Sequence, residues 1–512
     1  MPVAKDLIIN NSSRAIDLAG EFFICGADMT EAIRGIEPQI FWNCFAAICA
    51  IPRPSGHEER IGEYILARAE RLGLDRAKDD CGNIVVKVPA TPGKERVRSI
   101  CLQSHLDMVC EKNADKVHDF LKDPIELVRR GDVLTANGTT LGADNGIGVA
   151  TSLAIMEDKN LAHGPLELLF TVEEETGLRG AKHLSPALVA SRTLLNLDSE
   201  EEGALYIGCA GGKDTVGKWA TLREPAPAAA IAVRLTVKGL KGGHSGLEID
   251  KGLGNAIKLL NRALVPLSGL GARLASIDGG NMRNAIPREC SAVLYLAPEQ
   301  LQMAEAMVTE LAGIFRAELP TVDPGVQLIL DRSVSGPKTV LGTQLQQKVS
   351  KVITALPSGV QRMSPDIPGL VETSTNVSVI STTEDELVLI TSQRSSSATR
   401  LTEVVDTVES IFGLGGAGVE VSEGYPGWQP DMDSPILKLA KKCYRELYQK
   451  DAEVKAVHAG LECGIIGERI PGMDMISFGP NLEKVHSPDE KVYIDSVANY
   501  WRFLLEILKA AE

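Results

Sequence analysis

A chain of 512 residues, 44% hydrophobic and 24% charged, can bury more than one core and predicts two or three domains. Its formal net charge of −15 leaves no basic surplus to neutralise phosphates, which argues against nucleic acid as the main partner. No apolar run approaches the ~20 residues of a membrane-spanning helix, so no membrane partner is expected.

Residues 1–28 look detached from the rest of the chain, and Met29 is a candidate alternative start, with 1–28 an N-terminal extension. Acids at Asp6 and Asp17 disagree with a secretion signal. Phe41, Cys44, Phe45 and Ile48 then recur at a helical period. From 30 to 210, helix-like and strand-like stretches alternate, as in a sheet covered by helices. Three β-rich apolar runs stand out: Ser99–Leu102, Leu166–Val172 and Thr193–Leu197. Near 209–216 the character changes. IAVRLTVKGL (231–240) opens a second pattern, followed by an amphipathic stretch from Leu253 to Leu264, Val340–Ile353, LVLITSQR (387–394) and a helix-like run at 399–412. The Gly-rich segment 413–428 reads as a return linker. Its Gly413, Gly415 and Gly418 match GxGxxG, but a helix-like run precedes them and a strand-like one comes after, the reverse of the dinucleotide fingerprint. A helix from Ile436, a strand at Met473–Phe478 and a helix ending at Leu508 complete the chain. The predicted class is α/β. The simplest arrangement is a catalytic domain with a mixed sheet, built from 29–212 and 426–512, with an α+β domain, 213–425, inserted in it. Ten cysteines without a CxxC pair read as reduced thiols in a cytoplasmic protein.

TVEEETGLRGA (171–181) is the most informative stretch, with Glu173, Glu174 and Glu175 directly after a strand-like run. Three adjacent acids repel one another; alone they fit a solvated loop as well as a cation site. Four further segments change the balance: SHLDM with His105 and Asp107, LGADNGIG with Asp144, LLNLDSEEEG with Asp198, and KVHSPDEKV with His486. Open α/β sheets bind ligands at the carboxyl ends of their strands, and histidine with carboxylates is a donor set of hydrolytic zinc sites. His105 and Asp107, two apart, share a strand face, so Asp107 suits the task of fixing the His105 tautomer; a buried structural pair reads equally well. Asp144 is either a helix N-cap or a bridging ligand. Ser487, Pro488 and Glu490 predict a capping box that fixes the His486 loop before a helix. His118, His163 and His183 have no comparable setting.

SHLDMVCEKN, GADNGIG, EEETG, NLDSEEEG, GGHSG, GGNMRNAIPRE, HAGLECG and GPNLEKVHSPDEKV together resemble the aminoacyl-histidine (Xaa-His) dipeptidases of the larger di-zinc M20 peptidase group, from about residue 30 to the C-terminus. The resemblance implies two zinc ions per subunit, with Mn²⁺ or Co²⁺ as possible substitutes. Asp144 would bridge them, His105 and Asp198 would serve one ion, and Glu175 and His486 the other. In the family's acid–Glu–Glu–x–Gly pattern, Gly177 would make Glu175 the ligand and Glu174 the general base, leaving Glu173 outside the set. It also implies a cis Asp144–Asn145 peptide, a place for Asp107 in the catalytic set, a lid or dimerisation role for the inserted 213–425 domain, and an oxyanion donor in His244 of GGHSG, supplied from the same or a second subunit of a homodimer. Asn281, Asn284, Arg394 and His458 would bind substrate.

The implied activity is hydrolysis of unblocked dipeptides, Xaa-His (carnosine-like) substrates favoured. A broader di- or tripeptidase and an N-acyl amino acid deacylase are the alternatives. A non-catalytic binding relative would be expected to lack the base or a ligand, and all are present. GGHSG lacks the G-x-S-x-G spacing of a serine nucleophile elbow.

Overall fold

The computed structural model describes residues 31–512; the reading of 1–28 as an extension lies outside them. The described chain forms two compact units, the first the chain up to Ala204 with Lys438–Ala452 and Met473–Glu512, the second Leu205–Leu437 with Glu453–Gly472. The breaks fall at 204/205 and 437/438, where the sequence pattern put 212/213 and 425/426. Glu453–Gly472 belongs to the second unit because Ala210 donates its N–H to the carbonyls of Val457 (3.1 Å) and Ala459 (3.0 Å).

In the first unit six strands run in the order Asp75–Lys78, Ile84–Val88, Leu166–Thr171, Ile100–His105, Thr193–Asn196, Asp474–Ser477. The first two pairings are antiparallel and the other three parallel. Leu166–Thr171 and Ile100–His105 are buried on both faces, which is why they read as continuous rather than alternating apolar runs. Ile100 pairs with Leu166 and with Thr193, so three adjacent parallel strands end at one edge of the sheet. The chain leaves that edge into the segments carrying His105–Asp107, Glu173–Glu175 and Asp198.

The helix Ala143–Glu157 is buried almost throughout. Two glycines make its approach possible. Gly142 precedes it at φ +68°, where a Cβ would also strike Arg53 and Met108, and a Cβ on Gly148 would meet Ser104 and the Leu197 carbonyl. A small sheet pairs Leu482–Glu483 with Lys491–Tyr493, and the latter with Val133–Ala136. His486 sits in the loop between its first two strands.

The second unit is a nine-stranded antiparallel sheet. Its strands alternate: in Ile231–Lys238 the side chains of Val233, Leu235 and Val237 are buried while Arg234 and Lys238 are exposed. The buried faces share one core with Leu260, Phe315, Val349 and Phe412 of the helices Ala256–Gly269, Leu301–Glu318, Thr343–Ala355 and Ala398–Leu414. The expected 413–428 linker contains the strand Gly418–Val421, paired with Gly211–Ala220. The segment is less a linker than the sheet's last strand.

Candidate active site

All seven residues expected at the metal centre come together in the first unit. His105 Nε2 lies 3.0 Å from Asp144 Oδ1 and 3.3 Å from Asp198 Oδ1. His486 Nε2 lies 3.1 Å from the other Asp144 oxygen, Oδ2, and 3.1 Å from Glu175 Oε2. Asp144 therefore faces two histidines with different oxygens, and each histidine has a second carboxylate beside it. The donor atoms of His105, Asp144 and Glu175 fall within 4.8 Å of one another. Asp144 and Asn145 depart from helical backbone angles, so the regular helix begins after them, and the two Asp144 oxygens face the two histidines. The Asp144–Asn145 peptide is cis.

Behind these groups lies a buried scaffold. Asp107 Oδ1 is 3.3 Å from His105 Nδ1. The Asp107 carboxylate also accepts hydrogen bonds from Ser55 Oγ (2.7 Å) and the N–H groups of Glu174 (3.1 Å) and Glu175 (3.2 Å). One side chain thus orients a histidine and the glutamate loop together. Glu58 accepts from the Glu173 N–H, and Arg179 pairs with the Glu173 carboxylate, so Glu173 is engaged away from the cluster while Glu174 is half-buried. Asn145 Nδ2 donates to the Leu197 carbonyl and to Asp198 Oδ1. Buried Arg53 donates to the carbonyls of Leu106, Asp107 and Gly142.

The electrostatics are those of a cation site. Burial opposes charge on His105, but Asp198, Asp107 and Asp144 outweigh it and hold the imidazole well above the usual histidine range. Hydrogen bonds donated to Asp144 and Glu175 raise His486 to about 11. Burial would raise Asp144, yet its bonds to His105 and His486 hold it well below the usual carboxylate range. Asp198 is pushed up to about 6, chiefly by burial. The carboxylates thus call for positive charge at both histidine positions, and a divalent ion supplies it once the imidazoles give up their protons. Nitrogen and carboxylate donors, grouped as two sets around one shared aspartate, fit a pair of such ions.

The expected capping box at His486 is absent. Ser487–Glu490 forms a turn, in which the Glu490 N–H donates to the Ser487 carbonyl, and the next helix starts at Ile494. The Glu490 side chain is instead buried and accepts from the N–H groups of 141–144.

The remaining expected residues lie in the second unit. The bridge Gly243–His244 pairs with Ala285–Ile286, and Ser245 N donates to the Asn284 carbonyl (2.8 Å). GGHSG and GGNMRNAIPRE therefore lie side by side, with the Asn281 and Asn284 side chains exposed. His244 Nδ1 accepts from the N–H groups of Gly246 (3.1 Å) and Leu247 (3.0 Å). That assigns its proton to Nε2, which becomes a donor. Arg394 stands opposite Ser374 across paired strands. Its Nη1 donates to Tyr425 Oη (2.6 Å), and Ser374 Oγ meets His458 Nε2 at 2.7 Å. A Cβ on Gly246 would strike the His458 carbonyl and approach His244 Cε1, so this glycine seats the GGHSG loop on the His458 segment. Burial, then Arg394, lowers both histidines, His458 to about 3. Among the described residues, buried Arg394 Nε and Ser245 Oγ lack partners. Two such atoms in one unit are what a polar ligand would satisfy.

The sequence reading passed over Arg53, Ser55, Glu58, Asn145, Ser374 and Tyr425. For Arg53 and Glu58 a signal existed: IPRPSGHEE puts charged residues beside an apolar helix, in a loop whose turn residues favour a fixed shape.

Residues 101–510 match the model of Peptidase family M20/M25/M40. The chain is 44% identical to the cytosol non-specific dipeptidase of Escherichia coli over 93% of its own length and 98% of the relative's. Its fold is similar to the crystal structure of the aminoacylhistidine dipeptidase from Vibrio alginolyticus, with TM-score 0.88 and 40% identity over 95% of this chain and 99% of that one. An aminopeptidase from Bacillus cereus shares the fold at TM-score 0.54 and 16% identity, covering 93% of this chain and 98% of that one. The protein is an α/β peptide hydrolase of the kind whose fold pairs a catalytic domain with a lid. It belongs to Peptidase family M20/M25/M40, a membership that carries divalent-metal binding with it. Among the described residues, no helix is long and apolar enough to cross a membrane.

Proposed function

We propose that the protein is a cytoplasmic dipeptidase that holds two zinc ions and prefers Xaa-His substrates. The observation that carries this reading is Asp144, whose two oxygens each face one histidine–carboxylate pair. In the proposed assignment His105 and Asp198 would hold one ion, His486 and Glu175 the other, and Asp144 would serve both. When bound, such ions would lower the pKa of a water and polarise a carbonyl.

The chain's own residues do the rest. Glu174, next to the ligand Glu175 and anchored through its N–H by Asp107, accepts the proton of the attacking water and returns it to the leaving amine. His244 donates its Nε2–H to the carbonyl oxygen as negative charge develops. Arg394, beside His458, binds the substrate carboxylate with the fork geometry that suits it, and Asn281 and Asn284 contribute along the adjacent loop. A homodimer is part of the proposal, with His244 delivered to its own chain or to a second copy. Co-expressing Glu174→Ala with His244→Ala distinguishes the routes, because activity returns in mixed dimers only if His244 crosses between subunits.

The Xaa-His preference draws support from the Vibrio relative's name. The Escherichia coli relative is named non-specific, which favours a broader dipeptidase as the second reading. A panel of β-Ala-His, Gly-His, Gly-Leu and an N-acetyl amino acid separates these, run with metal-analysed wild type and Glu174→Ala. We expect two zinc ions in both proteins and Xaa-His cleavage by wild type, with activity falling ~10²–10⁴-fold in the variant. Equal rates on Gly-His and Gly-Leu remove the preference, while a variant as active as wild type removes Glu174 as base.

A further inference from the structure

Glu490 lies four residues after His486, in the same loop, and is 1% exposed. Among the described residues no basic side chain pairs with it. Its carboxylate accepts instead from four consecutive backbone N–H groups: Leu141 (2.7 Å), Gly142 (3.0 Å), Ala143 (2.8 Å) and Asp144 (3.4 Å). Its own carbonyl is held by Thr135 Oγ1 at 2.7 Å. Successive N–H groups converging on an anion form a rigid cradle, and charge-assisted bonds of this kind are stronger than neutral ones. A buried carboxylate close to an acid-rich cluster is otherwise unfavourable. The cradle ends on the residue whose two oxygens face the two histidines, and the loop that supplies Glu490 also supplies one of those histidines.

The two sides of the centre depend on this tie unequally. His105 ends a central strand, is 1% exposed and is backed by Asp107. Asp198 follows a central strand and is held by Asn145. His486 is about half exposed and has φ +61°, in a loop between two short strands. Glu490 is what joins that loop to the backbone of Asp144.

We propose that Glu490 is a positioning residue for the metal centre, tying His486 to Asp144 so that its loss weakens the ion on the His486–Glu175 side and spares the ion on the His105–Asp198 side. The proposal rests on Asp144 being shared by two ions. Glu490→Gln tests it, because the amide turns N–H hydrogens toward N–H donors. Zinc titration of the full-length apo-protein, with kcat followed at each zinc level, should show the first ion binding as in wild type and the second ~10–100-fold more weakly. Excess zinc should restore kcat. A merely structural role would lower both affinities together along with the melting temperature, and that result, or two unchanged affinities, overturns the proposal. If Glu490→Gln does not fold, Glu490→Asp decides on the same readout, since it keeps the charge but is one methylene too short to reach all four N–H groups. A wild type that binds fewer than two zinc ions overturns the shared-aspartate reading itself, and the Glu490 proposal with it.

Discussion

In the first unit His105 and His486 sit among carboxylates that hold them charged; in the second, His244 and His458 are kept neutral by burial and by the cation of Arg394. The same side chain is put to opposite uses. Histidines surrounded by acids exchange their protons for metal ions, because ligands must be deprotonated to bind and the carboxylates favour any cation. A histidine kept neutral beside a cation retains one N–H and one lone pair. At His244 two backbone N–H groups have claimed the lone pair, which leaves the N–H to donate. The difference arises from neighbours and not from histidine itself, so each neighbour offers a way to test it.

The largest expected break is at His244. Removing one preorganised donor from an oxyanion typically costs ~10²–10³-fold in kcat. His244→Ala should fall in that range with metal content unchanged, since none of the metal-centre groups is touched. Loss of metal alongside activity would erase the division between charged and neutral histidines. His244→Gln, which can still present an amide N–H, should recover part of the loss.

Much of the first cluster was legible in the sequence, because acids placed directly after apolar strands are locally inconsistent and so stand out. What could not be read was which strands are neighbours. Leu166–Thr171, Ile100–His105 and Thr193–Asn196 lie side by side and parallel, a pairing set by long-range packing. Glu490 shows the limit of local reading most clearly. Its spacing from Ser487 matches a capping box, but its partners lie up to 349 positions away, and burial against that backbone overrides the local alternative. The second cluster was less legible. Arg394, Tyr425 and His458 come from separate stretches with no local oddity, and Tyr425 lies in a Gly-rich segment that reads as linker.

A smaller effect is expected from Tyr425. Its hydroxyl is the acceptor for Arg394 Nη1, and its backbone pairs with that of Gly212 in both directions at 3.0 Å. The ring is therefore fixed by the sheet and holds the guanidinium in turn. Tyr425→Phe should raise KM for dipeptides roughly threefold to tenfold, the scale of one net hydrogen bond, with kcat little changed. A dipeptide amide, lacking the carboxylate, should show no such difference between variant and wild type. If the amide responds equally, Arg394 is not the carboxylate anchor.

The smallest effect concerns stability and sharpens the contrast from the neutral side. Folded His458 takes up a proton only near pH 3, because burial and then Arg394 oppose its charge, whereas its ordinary value is 6.5. Between these two values the unfolded chain binds a proton that the folded chain does not. Stability is therefore fully present above about pH 6.5 and drains away as pH falls toward 3. His458→Gln removes this proton uptake, so the urea midpoint should depend less steeply on pH in that window, even if the variant is less stable throughout because the bond to Ser374 changes. Slopes identical to wild type would mean that His458 is protonated in the folded protein, and the second unit would then carry a charged histidine like the first.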